Sequence, residues 1–116
     1  MNILNYRQIL RGPQKNILKM EGMKTMKLKL GQIVMTRGIA NLVEENEIFS
    51  AKVFQSLARH QNGDWGECGI EDTESNNWSA ENGERILSVY TICGTKVWIN
   101  TEWDRSVTTI LLPDEY

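Results

Sequence analysis

The chain holds one histidine, two cysteines and two prolines in 116 residues, and each scarcity removes a class of explanation. A single histidine without a CxxC pair argues against a conventional structural zinc cluster. Cys68 and Cys93 have neither metal-ligand spacing nor a close histidine, so they read as free thiols. No apolar run approaches the roughly 20 residues of a membrane span, and the start lacks the continuous apolar core of a signal peptide. A cytoplasmic protein with no membrane association is therefore expected. The glycine-rich dinucleotide and P-loop fingerprints, GxSxG, HExxH and the EF-hand calcium loop are all missing. No cofactor and no metal is expected.

What is present suffices for one domain with its own core, without disulfide or metal staples. Charge is split unevenly. Residues 1–30 carry seven Lys or Arg against one acidic residue, and residues 31–116 carry six against fourteen, for local balances of +6 and −8. An acidic body argues against a broad phosphate-binding surface and hence against nucleic acid as its partner. Residues 1–25 lack a sustained helical or strand period and are broken at Gly12-Pro13 and Gly22, so they read as a basic flexible leader ahead of a single domain at 26–116. Met20, Met23 and Met26 stand just before the first structural run as alternative starts.

MKLKLGQIVMT, from Met26, alternates through Leu28 and Leu30 into Ile33, Val34 and Met35 and predicts a strand. Thr36 is placed to cap a short helix over Gly38 to Glu45, with Ile39, Leu42 and Val43 on one edge. A stronger helix is expected from Glu47 to Gln61, ended by Gly63 as C′ residue. A third, near Thr73 to Asn82, has Trp78 as its largest packing group. Phe54, Leu57 and Trp78 are expected to cover the core.

From Arg85 to Leu112 the sequence reads as three antiparallel strands with turns at Gly94-Thr95 and Asp104-Arg105. A type II′ turn at Gly94-Thr95 sets Ile92 against Val97, Tyr90 against Ile99 and Ile86 against Trp103. Closure at Trp103 and Ser106 sets Ile99 against Ile110. One face then collects Ile86, Tyr90, Ile92, Val97, Ile99, Trp103, Ile110 and Leu112. The expected class is α+β: a mainly antiparallel sheet of about four strands, helices on one face, in the order strand-helix-helix-helix-strand-strand-strand.

Two segments hold the candidate chemistry. RHQNGDWGE, Arg59 to Glu67, has His60, the one side chain that ordinarily titrates near neutrality, with Asp64 placed to orient it as a general base. The competing reading is structural: His60 caps helix carbonyls, Asp64 closes an Asx turn before Gly66, and Trp65 packs onto the sheet. Glu67, Glu71, Asp72 and Glu74 form an acidic patch without metal-loop spacing. TEWDRSVTT, Thr101 to Thr109, adds Glu102, Asp104 and Arg105 around a turn.

LARHQNGDWGE (Leu57–Glu67), GERILSVY (Gly83–Tyr90) and TEWDRSVTTILLPDEY (Thr101–Tyr116) together resemble a family of small uncharacterised proteins found in bacterial genomes and on plasmid or phage-like elements. The resemblance covers roughly residues 27 to 116. It implies a host-interaction or regulatory role and carries no catalytic assignment. Two functions follow as expectations. One is a noncatalytic protein-interaction module using Asp64, Trp65, Glu67 and Glu71 on a protein partner with a basic surface. The alternative is a small hydrolase or nuclease-like enzyme built from His60, Asp64, Glu102 and Arg105, with Arg105 stabilising developing negative charge.

Overall fold

The period-two runs become strands and the helical runs become helices in a computed structural model that describes residues 3–5 and 28–116. In chain order the elements are β1 (Ile3–Asn5), β2 (Gln32–Thr36), α1 (Arg37–Glu45), α2 (Glu47–Gln61), α3 (Ile70–Asn82), β3 (Ile86–Ile92), β4 (Thr95–Thr101) and β5 (Val107–Leu111). A 3-10 turn, Pro113–Glu115, follows. The sheet runs β1-β2-β5-β4-β3, with β2 parallel to β5 and the other neighbours antiparallel. The α+β class is as expected. The sheet, however, is mixed, and β1 puts a strand ahead of the expected order. A parallel pair needs a long crossover, and here three helices and the β3-β4 hairpin together supply it. Apart from β1, the leader lies outside the described residues.

The β3-β4 loop is Cys93-Gly94, one residue earlier than expected. Both residues have positive φ, 51° and 79°, which makes the turn type I′ instead of type II′. Tyr90 consequently faces Val97, Ser88 faces Ile99 and Ile86 faces Thr101. Moving the turn by one residue shifts each partner by two, so every side chain keeps its face. The β4-β5 register is the expected one, with Ile99 opposite Ile110.

Met35, Ile86, Tyr90, Ile92, Val97, Ile99 and Ile110 form the core with Ile39 and Val43 of α1 and Phe49, Val53 and Leu57 of α2. Two expected core members depart. Trp103 lies beyond the end of β4 and is 63 % exposed, because the register ends at Thr101; Leu112 is only partly buried. The third exception is Trp78, on the outside of α3.

Helix ends follow local chemistry. The Asn46 side chain accepts from the backbone N–H groups of Ile48 (2.9 Å) and Phe49 (3.0 Å), capping α2, and Gly63 follows its end at φ 86°. Thr36 precedes α1 but its hydroxyl makes no cap. It donates instead to Glu115 Oε1, while Glu115 Oε2 accepts from Gly38 N–H at 3.0 Å. The carboxylate from the last turn thus takes the place of the expected threonine cap, where the helix dipole favours negative charge.

The outer edge of β3 is closed by two devices. Val89 N–H donates to Trp65 O (3.2 Å) and Val89 O accepts from Glu67 N–H (2.7 Å), which makes a parallel bridge between Gly66 and Val89. Two residues along, the Asn76 amide donates to Leu87 O (2.9 Å) and accepts from Leu87 N–H (3.4 Å). A side chain of α3 thereby imitates a neighbouring strand and covers an edge that would otherwise be open to pairing.

Candidate functional site

His60 sits on α2 and is fully buried between the helix and the sheet. Its Nδ1 is 2.5 Å from Ser88 Oγ on β3, and its Nε2 is 2.8 Å from Thr101 Oγ1 on β4. Thr101 Oγ1 is 2.8 Å from Thr108 Oγ1, and Thr108 donates to Leu30 O at 2.7 Å. That last bond fixes the direction of the whole line. With its proton committed to Leu30, Thr108 accepts from Thr101, Thr101 accepts from Nε2–H, and Nδ1 is left to accept from Ser88. The ring is neutral with its proton on Nε2. Burial, aided by the positive charge of Arg105, lowers the pKa to about 3. His60 therefore does not cap α2, because both ring nitrogens are spent on the sheet. Its edge also packs against Trp65, with ring centroids 5.6 Å apart.

The loop after α2 is held by internal pairs. Arg59 Nε donates to Asp64 Oδ2 at 2.7 Å and Nη2 to Oδ1 at 3.2 Å, which raises the pKa of Arg59 and lowers that of Asp64. Asp64 Oδ1 also accepts from Gly66 N–H at 3.1 Å, the expected Asx turn. Trp65 is buried, and its indole N–H donates to Asn77 Oδ1 at 2.8 Å. Glu67 Oε1 holds Lys96 Nζ and Thr91 Oγ1, both at 2.9 Å, and Lys96 foremost draws the carboxyl below its ordinary range. Of the four residues expected to bind a partner, Trp65 is inside, Asp64 and Glu67 are already neutralised, and Glu71 is exposed.

At the other end of the sheet, Glu102 Oε2 accepts from Asn100 at 2.8 Å. Arg105, at φ 60°, donates to the carbonyls of Glu84 (2.6 Å), Ser79 (2.9 Å) and Glu102 (3.1 Å). No hydrogen bond joins any two of the side chains of His60, Asp64, Glu102 and Arg105. His60 feels the charge of Arg105, while the hydrogen bonds of all four side chains go to partners outside the quartet or to backbone carbonyls.

The unexpected surface is α3. It buries only Asn76 and Ser79, both polar, and turns Ile70 (79 % exposed) and Trp78 (57 % exposed) outward. Ile70, Glu74, Trp78 and Glu81 follow one another at helical spacing along the exposed side. Glu71 and Asp72 flank them, and the helix contains no Lys or Arg. The Arg105 contacts fasten the loop bearing exposed Trp103 to the C-terminal end of this helix. One signal of this was legible: IEDTESNNWSAEN has no second apolar residue at i+3 or i+4 from Trp78, so it lacks a stripe with which to seal a core. Among the described residues, no three His, Cys, Asp or Glu side chains are grouped to hold a metal ion, and no helix is long and apolar enough to cross a membrane.

Comparison with protein-family models, curated proteins and solved structures finds no match for the chain.

Proposed function

We propose that the chain is a noncatalytic protein-interaction or regulatory module whose contact surface is the outer face of α3. The observation that carries this reading is the reversed polarity of the helix, with amides and hydroxyls inward and Ile70 and Trp78 in solvent. Large apolar side chains exposed beside charged ones supply the apolar anchors and polar rim of a contact patch. The acidic residues of α3 call for a partner with a basic surface and an apolar recess for the indole. Glu71 stays in the proposed contact set. Asp64, Trp65 and Glu67 move into a supporting role, holding the loop that leads into the helix. The resemblance noted above supports an association of such a module with plasmid or phage-like elements, where it would act on a host protein.

A pull-down from native cell extract with the wild-type chain and Trp78→Ala, followed by mass spectrometry, tests the proposal. A protein with a basic surface retained by the wild type and lost from Trp78→Ala supports it, with an association rate that falls as salt rises. Retention of the same proteins by both chains rejects it.

A further inference from the structure

A depression of about 140 Å³ lies where α2 passes the end of β3, on a different part of the surface from the outer face of α3. Lys52, Gln55, Ser56 and Arg59 line it from α2, at the i, i+3, i+4, i+7 spacing of one helix face. Thr91 and Glu67 close the other side. Ser56 is only 4 % exposed, yet its hydroxyl has no hydrogen-bond partner among the described residues. A buried polar group left in that state is uncommon in folded proteins and asks for an explanation. Lys52 makes no ion pair among the described residues. Arg59 uses Nε and Nη2 on Asp64, lies 4.9 Å from the Tyr90 ring centre, and has no hydrogen bond from Nη1 among the described residues. The negative charge of Glu67 is balanced by Lys96.

We infer that this depression is a binding site for a tetrahedral oxyanion, a phosphate ion or the terminal phosphoryl group of a monoester, held by Lys52, Ser56 and Arg59. An ammonium, the free edge of a guanidinium and a buried hydroxyl converge as donors, and a phosphoryl group offers several acceptor oxygens to match them. The volume corresponds to about five waters at ~30 Å³ each, which suits one such group and is well below the roughly 300 Å³ at which sites for drug-sized ligands begin. Tyr90 and Ile92 supply the apolar wall that keeps the donors from being wholly solvated. The site owes nothing to α3, so it stands or falls independently of the proposed interaction surface.

NMR titration of the full chain with sodium phosphate, against sodium chloride at matched ionic strength, tests the site. The expected result is saturable shifts at the amides of Gln55, Ser56, Thr91 and Ile92 with phosphate alone. Lys52→Met weakens that binding about tenfold or more, the loss of one hydrogen bond to a charged group. Ser56→Ala also weakens it, while raising the thermal midpoint in phosphate-free buffer because the unpaired hydroxyl is gone; a hydroxyl that merely supports the fold would give the opposite shift. A parallel titration with phenyl phosphate separates the sources: tighter binding of the ester assigns the site to a phosphoryl group carried by a larger molecule, and equal or weaker binding assigns it to the free ion. Non-saturating shifts, equal shifts with chloride, or unchanged affinity in both variants overturns the assignment.

Discussion

Ser88 Oγ and His60 Nδ1 lie 2.5 Å apart in the interior, and with Thr101 on the opposite ring nitrogen they make the histidine a bridge between β3 and β4. The bridge works only while the ring is neutral, since a protonated Nδ1 could no longer accept from Ser88. The folded pKa, about 3, is below the ordinary 6.5. Between these values the unfolded chain binds a proton that the folded one refuses. The contribution of His60 is therefore complete above pH 6.5 and is lost as pH falls from 6.5 toward 3, by an amount on the order of several kcal/mol. Urea unfolding across that range should show this loss in the wild type and its absence in His60→Gln, which cannot titrate; equal slopes would mean that other groups govern the acid transition.

Thr101 links the imidazole to Thr108, so Thr101→Val keeps the shape while stranding the Nε2–H donor. A loss of about 1–3 kcal/mol is expected from equilibrium unfolding, the cost of one buried group left without its partner. Thr101→Ser should recover most of it, because the hydroxyl returns.

Removing the Asn76 side chain uncovers the backbone of Leu87 at the sheet edge. Asn76→Ala is expected to cost about 1–3 kcal/mol. Light scattering should also show concentration-dependent association, because the exposed edge becomes a template for another chain. Loss of stability without association would mean that the Trp65–Glu67 bridge protects the edge alone.

Gly66 stands at φ 75°, and a Cβ placed there would come within 2.1 Å of Val89 O. Gly66→Ala should therefore cost about 2 kcal/mol or more through strain and a forced backbone shift. Hydrogen exchange at the Val89 amide, which donates to Trp65 O, should accelerate in the variant; an unchanged rate would show that the loop absorbs the methyl without releasing β3.

Trp78→Ala is expected to change folding stability by no more than about 0.5 kcal/mol, since an exposed side chain away from any special contact supports little. Phe54→Ala, at a fully buried position of α2, should cost about 3–5 kcal/mol. A large loss for Trp78→Ala would place the indole in the fold's support and remove it from the proposed contact surface.

The sequence was most informative where geometry is local. The limits of α2, Glu47–Gln61, were legible with Gly63 just past its end, and Ile99 opposite Ile110 follows from alternation on two adjacent strands. The β3-β4 turn was displaced because Cys93 takes a left-handed conformation that a residue with a Cβ seldom adopts, and glycine alone guided the placement. The parallel pairing of β2 with β5 depends on contacts between the two ends of the described body, to which no local pattern points. The role of His60 escaped for the same reason: Ser88, Thr101 and Thr108 look like ordinary strand residues until the sheet aligns them under α2. Trp78 and Trp103 were misplaced because size and apolarity suggested burial, whereas the helix had no stripe to accompany the first and the strand ended before the second.

Glu115 reaches Thr36 across 79 positions of sequence and Gly38 across 77, and β5 pairs with β2 in the same region. A chain made from its N-terminus therefore produces β2 and α1 long before the strand and carboxylate that complete them. Contacts between distant parts of a chain form slowly, because a long loop must close first. Until residues 107–115 have emerged, Met35 lacks Ile110 beside it and α1 lacks the carboxylate at its first turn. Newly made chains thus pass through an interval in which one side of β2 is open and α1 is uncapped, and products cut short before β5 would remain in it, as natural clients for chaperones and proteases.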